Sequence, residues 1–146
     1  MKLVVYLAGE IHSDWRGELK NEAEAIGLQV EFVGPQTNHQ KSDDIGEDIM
    51  GKQPGKLYRD DAASDINNLR TQVLMQKADI VIAKFGEEYK QWNTAMDASA
   101  ATTINKPLII IRPKSLIHPL KELSNKANVT VESNEQVLKV LAYIFA

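Results

Sequence analysis

The residues best suited to bind or react with a ligand are concentrated in one short segment, positions 9–16. These positions hold Gly9, Glu10, Ile11, His12, Ser13, Asp14, Trp15 and Arg16. The segment follows a run typical of a strand, so it forms the turn into a helix. Backbone amides at a helix N-terminus attract anions, and Arg16 can bind a phosphate or carboxylate through two hydrogen bonds. The segment therefore predicts an anion site, unless Ser13 and Asp14 only cap the helix and Arg16 is solvated.

A second segment, residues 86–97, carries a carboxylate suited to covalent chemistry. We expect Asn93 to cap a helix there, which places Asp97 at the end of its first turn, where the helix dipole and free amides favour the charged form. A buried, ionised carboxylate can attack an anomeric carbon, and a phenol such as Tyr6 can orient it. The alternative is that Asp97 serves only the electrostatics of the helix start.

Other kinds of site are disfavoured by the sequence. The three histidines lack metal-ligand spacing, and the acidic run over residues 43–48 lacks the spacing of a calcium loop. No GxGxxG follows the first strand, and neither GxxxxGK[ST] nor GxSxG occurs. We therefore expect no metal and no cofactor.

The amino-acid composition limits the classes of molecule that the protein is expected to bind. The net charge is −3, the basic residues are scattered and there is no cysteine, so neither a nucleic acid polymer nor a membrane surface is expected as partner. The apolar run at the N-terminus is too short for a signal peptide or a membrane span. These features favour a cytoplasmic protein that binds a small molecule.

Strand and helix patterns alternate along the chain. Strands are predicted over residues 2–8, 29–33, 80–85, 107–112 and 129–131, and helices over 14–26, 61–77, 93–104, 118–127 and 134–145. Residues 34–60 are predicted as a long loop with at most one or two helical turns, in which Asn38, His39 and Asp43 are candidates for ligand contact. The alternation indicates one α/β domain over residues 1–146, with a doubly wound parallel sheet of order 2-1-3-4-5 and helices on both faces. Ligands of such sheets bind between strands one and three, where segments 9–16 and 86–97 meet.

Three stretches of the chain resemble the nucleoside 2-deoxyribosyltransferase superfamily. They are Tyr6-Leu7-Ala8-Gly9, Ala78-Asp79-Ile80-Val81-Ile82, and Asn93 to Ala101 before Lys106-Pro107. Segment 9–16 together with Gln91-Trp92-Asn93 and Asp97-Ala98 is most similar to the YtoQ branch, and the resemblance spans nearly the whole chain.

The resemblance implies a flavodoxin-like (Rossmann-like) domain that forms homo-oligomers and cleaves the N-glycosidic bond of a deoxyribonucleoside or its monophosphate. It implies that Asp97 is the nucleophile and that Tyr6 orients it. Transfer to another base or hydrolysis by water would complete the reaction. The residues expected to bind substrate are Gly9, Glu10, His12, Ser13, Asp14, Arg16, Arg70, Gln91, Trp92 and Asn93.

The chain differs from the superfamily pattern at the positions where the superfamily has acidic residues. The superfamily nucleophile is a glutamate, one methylene longer than Asp97, and the family's other two acids correspond here to Gln91 and to Arg70 or Thr71. A proton donor to the departing base is therefore not assigned. The candidates are Glu10, His12, Asp14 and Glu88, and no spacing argument chooses among them.

Two other functions fit the same residues. The missing acids favour a protein that binds a nucleotide derivative and has lost the chemistry. A third interpretation is an interaction module whose alanine-rich helix forms an oligomer interface.

Overall fold

The sheet of the protein has five parallel strands in the order β2-β1-β3-β4-β5. The computed structural model describes residues 1–146. The strands are β1 Leu3–Ala8, β2 Val30–Val33, β3 Ile80–Lys84, β4 Leu108–Ile111 and β5 Val129–Val131. The predicted fold class and strand order are confirmed.

Helices cover both faces of this sheet, which explains why the central strands are continuous apolar runs. The helices are α1 Trp15–Ala25, α2 His39–Met50, α3 Lys56–Lys77, α4 Trp92–Thr103, α5 Lys121–Lys126 and α6 Asn134–Phe145, with a 3₁₀ turn at Lys114–Leu116. One core lies under α1 and α6 and contains Trp15, Leu19, Val137 and Leu141. The other lies under α3 and α4 and contains Tyr6, Met75, Ala98 and Ala101. The small side chains of α4 bring that helix close to the ends of β1 and β3.

The prediction of a long loop over residues 34–60 is wrong, because this stretch contains α2 and the start of α3. Asn38 caps α2 by accepting a hydrogen bond from the backbone N–H of Lys41 at 2.9 Å. Gly46 is buried against α3, and a Cβ there would lie only 2.6 Å from the backbone nitrogen of Ala63. Contact with α3 therefore holds α2 in place, and the sequence of α2 itself contains few apolar residues, chiefly Ile45, Ile49 and Met50.

Two predicted helix caps are also wrong. Helix α1 begins at Trp15 after Asp14, so Ser13 is not its cap, and the Asp14 side chain makes no capping hydrogen bond. Helix α4 begins at Trp92 after Gln91, so Asn93 already lies inside the helix. In both cases, the loop before the helix has its own side-chain hydrogen bonds, made by Ser13 in one and by Gln91 in the other.

Candidate active site

A polar cavity of about 650 Å³ lies beyond the carboxyl ends of β1 and β3. It is bounded by the segment after β1, the segment before α4, and the facing sides of α2 and α3. Of the sequence-predicted site residues, Gly9, Glu10, His12, Arg70, Gln91, Trp92, Asn93 and Asp97 line it. Ser13, Asp14, Arg16 and Tyr6 do not line it. The topological switch point thus brings together the two segments that the sequence singled out.

Asp97 and Tyr6 meet at the floor of this cavity. The Tyr6 hydroxyl donates a hydrogen bond to the Asp97 Oδ2 at 3.4 Å, a long distance for such a bond. Tyr6 is fully buried on β1, beside Val81 of β3, and Asp97 is 8% exposed. A rigid strand therefore fixes the phenol beneath a carboxylate that faces the cavity.

Burial controls the charge of this pair. Loss of hydration raises the pKa of Asp97 to about 6, while the Tyr6 hydrogen bond and the Arg16 charge act to lower it. Burial, together with the Asp97 charge, raises the pKa of Tyr6 to about 12, so the phenol remains a donor. The expected reason for a charged Asp97 is wrong, because this residue is the sixth of α4 and lies beyond the free amides of the first turn. At pH 7 the carboxylate is still mostly ionised.

Glu10 organises the turn after β1. Its carboxylate accepts hydrogen bonds from the backbone N–H groups of His12 at 2.6 Å and Ser13 at 2.9 Å, and from the Ser13 hydroxyl. Burial would raise the pKa of Glu10, but these hydrogen bonds prevail and lower it. Glu10 therefore stays ionised and its lone pairs are engaged within the turn.

Arg16 binds backbone carbonyl groups rather than the anion that the sequence analysis expects. It is buried, and its guanidinium donates to the carbonyl oxygens of Leu7 at 3.1 and 3.2 Å, Gly9 at 2.9 Å and Glu10 at 2.7 Å. Trp15 adds a hydrogen bond from its indole nitrogen to the Glu10 carbonyl. Its ring lies so close to Gly9 that a Cβ there would be 2.5 Å away. Arg16 and Trp15 thus fix the backbone that presents His12 and Glu10.

Replacing Arg16 with lysine should lower the free energy of unfolding by about 1–3 kcal/mol, because an ammonium cannot satisfy three carbonyl groups arranged for a planar fork. Denaturant unfolding measures this loss. The matched control is Arg70→Lys, where the exposed guanidinium makes one bond, to the Gly34 carbonyl at 2.6 Å, and a change under about 0.5 kcal/mol is expected. Equal losses in both variants would contradict the structural role of Arg16.

Gln91 and Arg70, at the positions where the resemblance implies family acids, both form hydrogen bonds with backbone groups. The Gln91 amide oxygen accepts the Gly86 N–H at 3.1 Å, and Arg70 donates to the Gly34 carbonyl. Both residues still line the cavity, as does Thr71, the neighbour of Arg70 on α3. Neither position supplies a carboxylic acid near Asp97.

The sequence predicts only some of the residues that α2 and α3 contribute to the cavity. Of the three candidates in residues 34–60, His39 and Asp43 line the cavity, whereas Asn38 serves as the cap of α2. His39 Nε2 lies 3.2 Å from Asp43 Oδ2, one turn along the helix. Sequence reasoning missed Gln36, Asp60, Asn67 and Asn68, which also line the cavity. The signal for the last three is a run of polar side chains on one side of a helix, which is equally typical of a solvated face.

A smaller cavity of about 200 Å³ adjoins the first on the outer side of Asp97. It lies between α3 and α4, and its lining includes Met75, Met96, Ala100 and Ile104. No group of three or more potential ligands among the His, Asp and Glu side chains is placed to hold a metal ion. None of the helices combines the length and hydropathy that crossing a membrane requires.

The fold and the site define a doubly wound α/β protein with a buried carboxylate–phenol pair beneath a polar cavity. The chain belongs to the family described as Nucleoside 2-deoxyribosyltransferase YtoQ, whose model matches residues 6–145. The resemblance to the YtoQ branch is thereby confirmed. A protein of Bacillus subtilis (strain 168), described as "Uncharacterized protein YtoQ", is 65% identical over 145 residues, which are 99% of this chain and 98% of that protein.

Solved structures share the fold at low sequence identity. A conserved protein from Enterococcus faecalis V583 matches with a TM-score of 0.68 and 13% identity, over 99% of each chain. A 2-deoxyribosyltransferase from Bacillus psychrosaccharolyticus matches with a TM-score of 0.61 and 16% identity, over 92% of this chain and 90% of that one. The CMP N-glycosidase BcmB of Clostridium botulinum matches with a TM-score of 0.52 and 14% identity, over 97% and 98%. These likenesses establish the flavodoxin-like fold.

Proposed function

We propose that this protein cleaves the N-glycosidic bond of a deoxyribonucleoside or its monophosphate, with Asp97 as nucleophile and Tyr6 as its orienting group. The observation that carries the proposal is the buried hydrogen bond between the Tyr6 hydroxyl and the Asp97 carboxylate at the cavity floor. Family membership supports it, as does the sharing of this fold by a deoxyribosyltransferase and a CMP N-glycosidase.

The chemistry follows from the placement of the carboxylate. One Asp97 oxygen attacks C1′ of the sugar while the bond to the base breaks, and its electron pair leaves with the base. The partial burial of Asp97 strengthens its attraction for the positive charge that develops on the sugar. Water or a second base then attacks C1′ of the resulting ester and releases Asp97 as a carboxylate.

The cavity favours a polar ligand of nucleoside or nucleotide size. A volume of about 650 Å³ lies within the range of small-molecule sites. His12, Arg70 and Lys90 on its lining can bind hydroxyl or phosphate oxygens. We place this reaction in the cytoplasm, in keeping with a chain that has no cysteine.

A mechanism-based label tests the proposal directly. A 2-deoxy-2-fluoro nucleoside analogue with a good leaving group should form an ester slowly resolved by water, seen as a mass increase on the peptide that contains Asp97. The same label should appear in Asp65→Asn, a change at an exposed site of α3 outside the cavity, and should be missing from Asp97→Asn. An adduct at another residue, or equal base release by Asp97→Asn and wild type, would reject Asp97 as nucleophile.

The alternative function is the binding of a nucleotide derivative without turnover. Gln91 and Arg70, at the positions where the resemblance implies acids, are bonded to backbone groups, which favours this alternative. It predicts tight binding by calorimetry with no base release and no trapped ester. Turnover that depends on Asp97 would exclude it.

A homo-oligomer is the second part of the proposal. The facing sides of α3 and α4 expose an uncharged strip that contains Leu69, Gln72, Val73, Gln76, Trp92, Met96, Ala100 and Ile104. Six of these eight side chains are apolar, and contiguous exposed apolar patches mark interfaces. A surface without charge can pair with a copy of itself without like-charge repulsion. The strip adjoins the smaller cavity, so a second copy there would enclose the outer side of Asp97.

Placing an aspartate in this strip should dissociate the assembly. We expect Val73→Asp to shift the protein to monomers in sedimentation velocity at tens of micromolar (~10–50 µM), because a charge would be buried without a partner. Tyr143→Asp, at an exposed apolar position on α6, is the control and should leave the assembly unchanged. A wild-type protein that sediments as a monomer would contradict the oligomer.

A further inference from the structure

The proposed reaction needs a proton for the departing base, and the cavity offers few groups that could hold one. Asp14 and Glu88, two of the candidates that the sequence left open, are absent from the cavity lining. Glu10 lines the cavity, but its carboxylate accepts three hydrogen bonds from its own turn and stays ionised. None of these three acids can supply a proton to a ligand beside Asp97.

Two further carboxyls line the cavity on its helical side, Asp43, which lies against His39, and Asp60 on α3, and so do two imidazoles. His39 is engaged, because its Nε2 lies 3.2 Å from the Asp43 carboxylate. His12 makes no hydrogen bond through either ring nitrogen within the protein, and only its backbone N–H is used, by Glu10. An imidazolium can donate a proton to a leaving group, and the neutral ring can later accept one from water. Of the two imidazoles, His12 is therefore the one whose ring nitrogens are both free to meet a ligand.

The exposed ring of His12 lies beside two other aromatic rings at the edge of the cavity. The centre of the Tyr89 ring lies 4.8 Å from that of His12, and the centre of the His39 ring lies 6.4 Å from it. The His12 backbone belongs to the turn that Arg16 and Glu10 fix from within. The turn therefore fixes the position of the His12 backbone, and a proton donor on a fixed backbone needs less reorganisation during the reaction.

We propose that the imidazolium of His12 protonates the departing base. The inference rests on the proposed function. As the Asp97 oxygen bonds to C1′, the electron pair of the C1′–N bond moves to the base, and a ring nitrogen of the base takes the His12 proton. In hydrolysis, the neutral imidazole then takes a proton from the water whose oxygen bonds to C1′, and the Asp97 carboxylate is released. His12 ends the cycle protonated, as it began.

Substrates whose base departs without needing a proton distinguish proton donation by His12 from substrate binding by His12. The test compares deoxyguanosine 5′-monophosphate with its N7-methyl derivative, and deoxycytidine 5′-monophosphate with nicotinamide deoxyriboside 5′-monophosphate. In each pair the second base is already cationic and departs neutral. His12→Gln should lower kcat/KM about a hundredfold or more for the natural base, and less than about fivefold for the cationic base. Retained activity on the cationic base also shows that the variant is folded.

Two further variants make the test specific. His118→Gln, an exposed histidine outside the cavity, is the matched control and should leave both rates unchanged. A loss by His12→Gln that is equal for both bases of a pair would overturn the inference, and so would a base-dependent loss in His39→Gln instead. If wild type releases base from no substrate of the set, the proposed function itself fails, and the inference fails with it.

Discussion

Replacing Asp97 with asparagine should lower kcat/KM for base release by at least about a thousandfold, equivalent to about 4 kcal/mol of transition-state stabilisation. The amide of asparagine is a poor nucleophile and carries no charge to stabilise the sugar cation. Steady-state kinetics on the deoxynucleotide pairs measures this loss, with Asp65→Asn as the control for loss of a carboxylate elsewhere. A variant within tenfold of wild type would mean that another group attacks C1′.

The same substitution should raise the free energy of unfolding at pH 7 by about 1–3 kcal/mol, because the folded protein holds Asp97 in a site that disfavours its charge. The pKa of Asp97 is about 6 in the folded state against 3.8 for an ordinary aspartate. The folded state therefore binds the proton more tightly, and wild-type stability falls as the pH rises from about 4 to 6. The amide of the Asp97→Asn variant cannot ionise and escapes this loss, so the gain should shrink towards zero below about pH 4. Denaturant unfolding of both proteins across this pH range measures the difference, and a gain that persists in acid would point to packing rather than charge.

Tyr6→Phe should move the acidic limb of the pH profile of kcat/KM to higher pH. The phenol donates to Asp97 and lowers the pKa of its carboxyl, so without it the pKa of Asp97 should rise further and less nucleophile is ionised. We expect a loss of about tenfold near pH 6 that narrows towards about pH 8. Rates measured from about pH 5 to 9 test this, with Tyr143→Phe at an exposed position as the control. A loss that is equal at every pH would mean that the hydroxyl acts only by orienting the carboxylate.

The sheet could be predicted from the sequence because its signals are local. The strands that contain Val5, Ile82 and Ile110 are buried on both faces, and such strands are continuous apolar runs between turn residues. The pairing of Tyr6 with Asp97 follows from the strand order, since β1 and β3 are neighbours and α4 crosses above their ends. The parallel strand order is therefore what allows two residues far apart in the sequence to be predicted as neighbours.

Helix α2 could not be predicted, because what stabilises it lies elsewhere in the chain. Arg59 of α3 forms ion pairs with Asp44 and with Glu47, the latter at 3.0 Å, and Gly46 permits the close approach of Ala63. Such contacts depend on the fold and cannot be read from the segment alone. A window over residues 39–50 shows mainly polar residues, which are equally typical of a solvated loop.

The role of Arg16 shows a second limit. Its type and position at a helix start favoured an anion site, but the same guanidinium fits the carbonyl groups of a tight turn. Residue types alone do not say which acceptor an arginine meets, and here the acceptors are the carbonyl groups of Leu7, Gly9 and Glu10. The charge of Asp97 was likewise expected for a reason of helix geometry, whereas dehydration governs it.

The contact between α2 and α3, where Gly46 meets Ala63, offers a way to change the width of the cavity. His39 and Asp43 are carried by a helix whose distance from α3 is set at Gly46, a position outside the cavity lining. A larger side chain at Gly46 would push the two helices apart and widen the cavity, and no residue of the cavity lining would be replaced. Preference for larger or smaller ligands could thus be tuned from a distance, by the spacing of the two helices.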